Sequence, residues 1–357
     1  MNEPEYGRLI RIGRLTFHFS SLHLLFGMIS LAFVGQVMLA GGLDSGGSIF
    51  EFGGISNGGC WAPGGCGPRA VFQNHEWWRL FTAMFLHVGV VHLLMNAWAF
   101  YSLGKLADRI YGPGRLLFIY LLCGLVSSLA SAVWRHLRVE VFEWDLVTGY
   151  SLGASGAIAG LMGALLINMR THVDIQSQMA YRGLFRWAIL LLGFGFVYPN
   201  IDQAGHVGGF AAGVVLAKVL QEGHFDQLRR GREQRVVFAG TALLVVLTLA
   251  SIGIAVAGAA ERHGRYGEIQ TLWEHLDTAL DRAPKSTKTE TRLRLQRGLR
   301  RLDLSYPDLQ AIRDGAASLF TDHPGPLRLV QGLLQAKADL NELGFRLVPD
   351  RYSLRRR

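Results

Sequence analysis

The sequence predicts an all-α polytopic membrane protein, and three observations carry that expectation. Half of the 357 residues are hydrophobic and only 18% are charged, with a mean hydropathy of +0.23. The apolar residues gather into seven runs, at 22–40, 88–104, 116–134, 151–169, 184–197, 204–220 and 236–257. Finally, 44 glycines suit membrane helices, which need small residues to approach one another closely.

Taken in order, residues 1–21 form a cytoplasmic N-terminal segment. Lys and Arg decide that orientation: with the N-terminus inside, the cytoplasmic segments carry fourteen basic residues. The outer segments, tail excluded, carry four: Arg69, Arg79, Arg135 and Arg138. The first run stays as an anchor, because it is 19 residues long and Met38 is a poor residue three places before a cut after Ala40. Residues 41–87 make an outer loop rich in glycine. In it Cys60 and Cys66 flank Trp61-Ala62-Pro63-Gly64-Gly65, and on an oxidising face they are either a small disulfide loop or two free thiols. The stretch from Glu76 to Leu86, with Trp77, Trp78 and Arg79, suits a helix lying in the outer interface; the other reading is the outer end of a long second span. The second, fifth and sixth runs are shorter than the roughly 20 residues a bilayer core asks for, so either the local bilayer thins or helices end below the surface. Beyond the seventh span, residues 259–357 hold 18 basic and 13 acidic side chains. Ile269, Leu272, Trp273, Leu276 and Leu280 recur there at helical spacing, so a small helical domain is expected on the outer side, with breaks near Pro284, Pro307 and Pro324.

Chemistry is expected where polar groups sit in these runs. Ser155 opens the fourth, within Gly153-Ala154-Ser155-Gly156, and His206 opens the sixth, within Gly205-His206-Val207-Gly208-Gly209. Both runs start on the outer side, so the hydroxyl and the imidazole lie at matched depth. Serine is a weak nucleophile until a base takes its proton, and neutral imidazole is the base hydrocarbon tolerates most cheaply. Gly156, Gly160 and Gly163 leave one face of the fourth helix bare, and Gly209 and Gly213 do the same on the face that holds His206. Two bare faces can press together and bring the pair within reach. No Asp or Glu lies within the seven runs, so a Ser155–His206 dyad is expected; Asp202, one turn before His206, sits near the surface. On the second run His92 and Asn96 share a face four residues apart, and both are assigned to stabilise an oxyanion. His87 lies off that face and is read as support for the preceding loop. Cys123 is read as packing.

The motifs HxxxxHxxxN from His87 to Asn96, GxSG at 153–156 and GHxGG at 205–209, preceded by the Trp78-Arg79 pair, resemble the rhomboid intramembrane serine proteases over roughly residues 72–220. The resemblance implies a six-helix bundle over 22–222 with a short, central fourth helix and a water-filled cavity open to the outside. It also implies substrates that are transmembrane segments of other membrane proteins, cut near their outer ends. The span at 236–257 is similar to the six-plus-one arrangement of some members, in a bacterial inner membrane. One residue departs from the pattern: Ala159 stands where the family often has an aromatic ring against the base, a place Phe210 or Met162 would have to fill.

Other function classes fit less well. A catalytically inactive rhomboid-like adaptor remains the alternative, although such members typically lack the serine or the histidine. A transporter would want inverted repeats and buried charges. His75-Glu76 is followed by Trp77-Trp78-Arg79 and so does not complete HExxH, leaving no metal site and no cofactor implied. The net charge of +9 reflects topogenic bias and a basic tail; it suits anionic lipid and no nucleic acid, and the tail's partner is open.

Overall fold

The structure is a computed structural model that describes residues 8–12, 15–40, 55–56, 60–62, 65–66, 71–72, 75–138, 150–170, 175–197, 201–222, 227–282, 289–320 and 326–342. The N-terminal segment, for which the sequence signals no secondary structure, pairs strand β1 (Arg8–Ile12) antiparallel with β2 (Leu15–Phe19). Helix α1 (Ser21–Ala40) comes next, and its inward line of Leu22, Leu25, Ile29, Phe33 and Gln36 has the three-and-four spacing of one helix face. Its other side leaves Leu31 72% and Met38 78% exposed, which only a lipid surround makes inexpensive.

In the outer loop, β3 (Ile55–Ser56) pairs with a later strand, and β4 (Cys60–Ala62) pairs with β5 (Gly65–Cys66). Helix α2 (Arg79–Thr82) and the 3-10 turn Ala83–Phe85 then meet α3 (Gly89–Tyr111) at a bend of 88°, so the short helix is not a straight continuation of the second span. Helix α4 (Pro113–His136) starts at Pro113, whose missing N–H costs nothing at a first helical position. Strand β6 (Tyr150–Ser151) pairs with β3, and α5 (Ser155–Arg170) comes next. Hydropathy predicts a fourth helix from 151. Instead the helix begins at Ser155, because the backbone at Gly153 has a positive φ of 112° that no helix accommodates.

Helix α5 is the axis of the bundle, in contact with α3, α4, α6 (Ile175–Val197) and α7 (Gln203–Glu222). Twelve of its residues are buried, so it faces protein rather than lipid and can be short. At 1.5 Å per residue it reaches only about 24 Å. Among the described residues four helical stretches are long and apolar enough to cross a membrane: Ser21–Met38, Pro113–His136, Gln203–Leu220 and Gly231–Gly258; the bent pair α2–α3, taken as one broken span, makes a fifth. The chain is thus a multi-pass membrane protein. Of the seven expected spans, the fourth is too short for this set: α5 has 16 residues.

Helix α8 (Gln227–Arg282) runs for 56 residues, through the position near 259 where composition suggests a boundary. Its first part packs on α4, with Arg115 ion-paired to Glu233 at 2.7 Å. Its last turns carry Ile269, Leu272, Trp273 and Leu276 into a second core, shared with α9 (Thr289–Arg300), α10 (Pro307–Ser318) and α11 (Pro326–Glu342). Lys337 Nζ lies 4.1 Å from the Trp273 ring centre and pairs with Asp277, so its charge is met by both the ring face and the carboxylate. Of the expected breaks, Pro307 opens α10; Pro284 and Pro324 lie outside the described residues.

Candidate active site

Ser155 sits at the first position of α5, at the mouth of a turn held from two sides. The Gly153 N–H donates to the Ala83 carbonyl at 2.9 Å, and Ile55 pairs with Ser151 across β3–β6. A helix's first amides lack intrahelical acceptors, which leaves the N–H groups around Ser155 free to meet an anion by position alone. His206 lies one turn into α7, with its Nε2 2.8 Å from Ser155 Oγ. If Nε2 accepts the seryl proton, the neutral ring carries its own hydrogen on Nδ1, which is buried and has no hydrogen-bond partner among the described residues.

The glycines explain why the pair can meet. A Cβ added to Gly209 would overlap the Gly156 carbonyl oxygen, and one on Gly213 would overlap that of Gly160. From the other side, a Cβ on Gly156 would strike Ser127 and one on Gly160 would strike Cys123, both on α4. Helix α5 is therefore in backbone contact with α7, and Cys123 fills the space its glycine leaves.

The histidines of the second span surround the same turn. His92 presents Nε2 to Gly153, where an added Cβ would lie 3.2 Å from that nitrogen and 2.9 Å from Cε1. Its Nδ1 accepts the Val88 N–H at 3.2 Å, which places the hydrogen of the neutral ring on Nε2. Asn96 is buried one turn further along, with its amide donating to the His92 carbonyl at 2.9 Å. His87 is buried at the bend, its Nδ1 3.2 Å from the Phe85 carbonyl oxygen and its ring 5.1 Å from that of His92. Arg79 is fully buried, ion-paired to Glu76 and 4.6 Å from the centre of the Trp78 ring. The cleft at the dyad is lined by Met84, Ser127, Ser128, Gly153, Ser155 and His206 among others. Cys60 and Cys66 lie elsewhere, opposite one another in the β4–β5 ribbon.

Two features differ from what the sequence predicts. Asp202 is expected near the surface, yet its side chain is only 17% exposed and lies 3.8 Å from a buried Arg135, itself expected as an outer surface charge. The Asp202 carboxylate also accepts from the Ser151 hydroxyl and, at 3.1 Å, from the Gly205 N–H, which caps α7; its carbonyl accepts the His206 N–H. Burial alone would raise the Asp202 pKa, but Arg135, the Ser151 and Ser131 hydroxyls and the Gly205 N–H together hold it below the ordinary carboxylate value. None of these groups bonds the imidazole, so the carboxylate holds the helix and not the ring. The second feature concerns Ala159: it is buried, no aromatic ring among the described residues stacks on His206, and neither Phe210 nor Met162 lines the cleft. The imidazole is instead 6% exposed, and its hydrogen bond among the described residues is the one to Ser155.

With this geometry in view, residues 74–222 match the Rhomboid domain. Over that stretch the chain is similar to the rhomboid family. It is 37% identical over 156 residues to Rhomboid protease GluP of Bacillus subtilis (strain 168), a match covering 44% of this chain and 28% of that protein. RHOMBOID-like protein 1 of Arabidopsis thaliana is 32% identical over 45% of this chain and 40% of its own length. Rhomboid protease AarA of Providencia stuartii is 31% identical over 40% of this chain and 55% of its own length. The matches thus span from about a quarter to just over half of these relatives.

Proposed function

We propose that this chain is an intramembrane serine endopeptidase that cleaves transmembrane segments of other membrane proteins. The observation that carries the reading is the 2.8 Å contact between His206 Nε2 and Ser155 Oγ at the head of a buried helix. In the forward step Ser155 Oγ attacks the scissile carbonyl as His206 Nε2 takes its proton, and the carbonyl oxygen becomes an oxyanion. His92 Nε2–H, the second amide hydrogen of Asn96 and the first-turn backbone N–H groups are the donors for that charge, each worth about 3–4 kcal/mol where fixed in advance. The imidazolium then protonates the leaving amine, and water brought in by the same base releases the acyl group from Ser155. The relatives named as rhomboid proteases support the class, and the Lys and Arg asymmetry supports a cytoplasmic N-terminus in a bacterial inner membrane, with the site near the outer face.

In cells, Ser155→Ala and His206→Ala are each expected to abolish cleavage of a reporter membrane protein while the variants still accumulate. Cleavage by either variant would exclude the mechanism. An adaptor without activity has no use for a serine hydroxyl within hydrogen-bond distance of a buried imidazole, so the geometry favours the enzyme.

A further inference from the structure

Residues 86–88 leave helical geometry where the chain turns through 88° between α2 and α3. A bend inside an apolar surround strands backbone groups that a helix would have paired, and each one left unmet is costly. At His87 both groups are met by one side chain from a different helix. Gln36 of α1 donates its Nε2 hydrogen to the His87 carbonyl at 3.2 Å, and its Oε1 accepts the His87 N–H at 3.0 Å. A primary amide offers a donor and an acceptor side by side in this way without any change of protonation. Gln36 is 3% exposed, the last member of the inward line of α1 and its one polar one.

The neighbouring residue makes the clamp more than a repair. Val88 is the N-cap of α3, and its N–H is the hydrogen that His92 Nδ1 accepts. That bond fixes the ring's orientation and its tautomer, and so leaves Nε2–H as the donor facing the turn before Ser155. The His87 ring, 5.1 Å away, closes the other side of the imidazole. The order of constraint runs from Gln36 to the His87 backbone, to the Val88 N–H, to His92 Nδ1 and so to His92 Nε2.

We propose that Gln36 is a positioning residue for the oxyanion donor His92, acting through the His87 and Val88 backbone. The inference rests on the protease reading and on the role given there to His92. It makes the first helix part of the catalytic apparatus, though none of its described residues lines the cleft at the dyad.

The test is a double-mutant cycle on the full chain in vesicles, with kcat and KM measured for one transmembrane substrate. Gln36→Met keeps the volume and removes both hydrogen bonds; it is expected to lower kcat about tenfold with KM within about twofold, as for a group that matters only in the transition state. In a His92→Ala background, where no donor remains to be aimed, Gln36→Met should change kcat by less than about twofold. If the tenfold loss recurs in that background, or if kcat is untouched in a folded Gln36→Met protein, the proposal is wrong. Should Gln36→Met fail to accumulate, Gln36→Asn serves in the same cycle, since it keeps the amide but is one methylene too short to reach both His87 groups; a loss that vanishes in the His92→Ala background supports the proposal and an additive loss refutes it. A wild-type chain inert toward substrate would instead overturn the protease reading, and this inference with it.

Discussion

The dyad depends on two residues, but the groups that hold them are as specific as the pair itself. His92→Ala and Asn96→Ala should each lower kcat by about 10²–10³ with little change in KM, since an oxyanion donor acts on charge that exists only in the transition state. Steady-state cleavage of a defined substrate checks this. Asp202 makes a different prediction. Its folded pKa lies below its unfolded value of about 3.9, so its stabilisation is fully present above that pH and is lost as pH falls through the folded value. Thermal unfolding of the wild type should therefore weaken on acidification below about pH 4, and Asp202→Asn should lack that component. At neutral pH the same variant leaves Arg135 buried without its counter-charge, at a cost of about 3 kcal/mol. Equal pH profiles for the two proteins would show that the carboxylate holds nothing.

Between helices, the decisive contact is the one made by what is missing. Gly209 and Gly213 face the Gly156 and Gly160 carbonyls so closely that any side chain must push α7 away from α5. Gly213→Val is expected to destabilise the bundle by about 1–3 kcal/mol and to abolish activity, because displacing the backbone moves His206 away from Ser155. Denaturation in detergent and substrate cleavage measure the two effects. The β4–β5 ribbon makes a separate prediction. Residues opposite one another in antiparallel strands have Cα atoms about 4.5–5.5 Å apart, within the span a disulfide bridges. On an oxidising outer face Cys60 and Cys66 should resist iodoacetamide until reduced, as peptide mass spectrometry would show; alkylation of both without reductant would mean free thiols.

Across the chain, two cores lie along one long helix. One surrounds α5, and the other joins the end of α8 to α9, α10 and α11. Leu276→Asp, placed in the second, should disrupt that core and leave the reactivity of Ser155 within about twofold, since the two cores share no buried residue. Much of this arrangement is legible in the sequence because its signals are local. A helical stripe of glycines, a serine and a histidine at the heads of apolar runs, and a basic bias at one end each need only a few neighbouring residues to be seen. The features that escape are long-range or conformational. Gln36 and His87 meet across 51 residues, as do Ser151 and Asp202, and no periodicity announces either contact. Arg135 looks like any outer positive charge until α4 carries it to Asp202. The start of α5 is displaced from the hydropathy boundary because the backbone at Gly153 interrupts a run that hydropathy alone reads as continuous. The central claim is that Ser155 is activated by His206. Its most direct measure is the rate at which a fluorophosphonate probe modifies the purified chain, located by peptide mass spectrometry. The account predicts modification at Ser155 in the wild type and a loss of about 10³-fold or more in His206→Ala; equal rates in the two proteins, or modification at another serine, would contradict it.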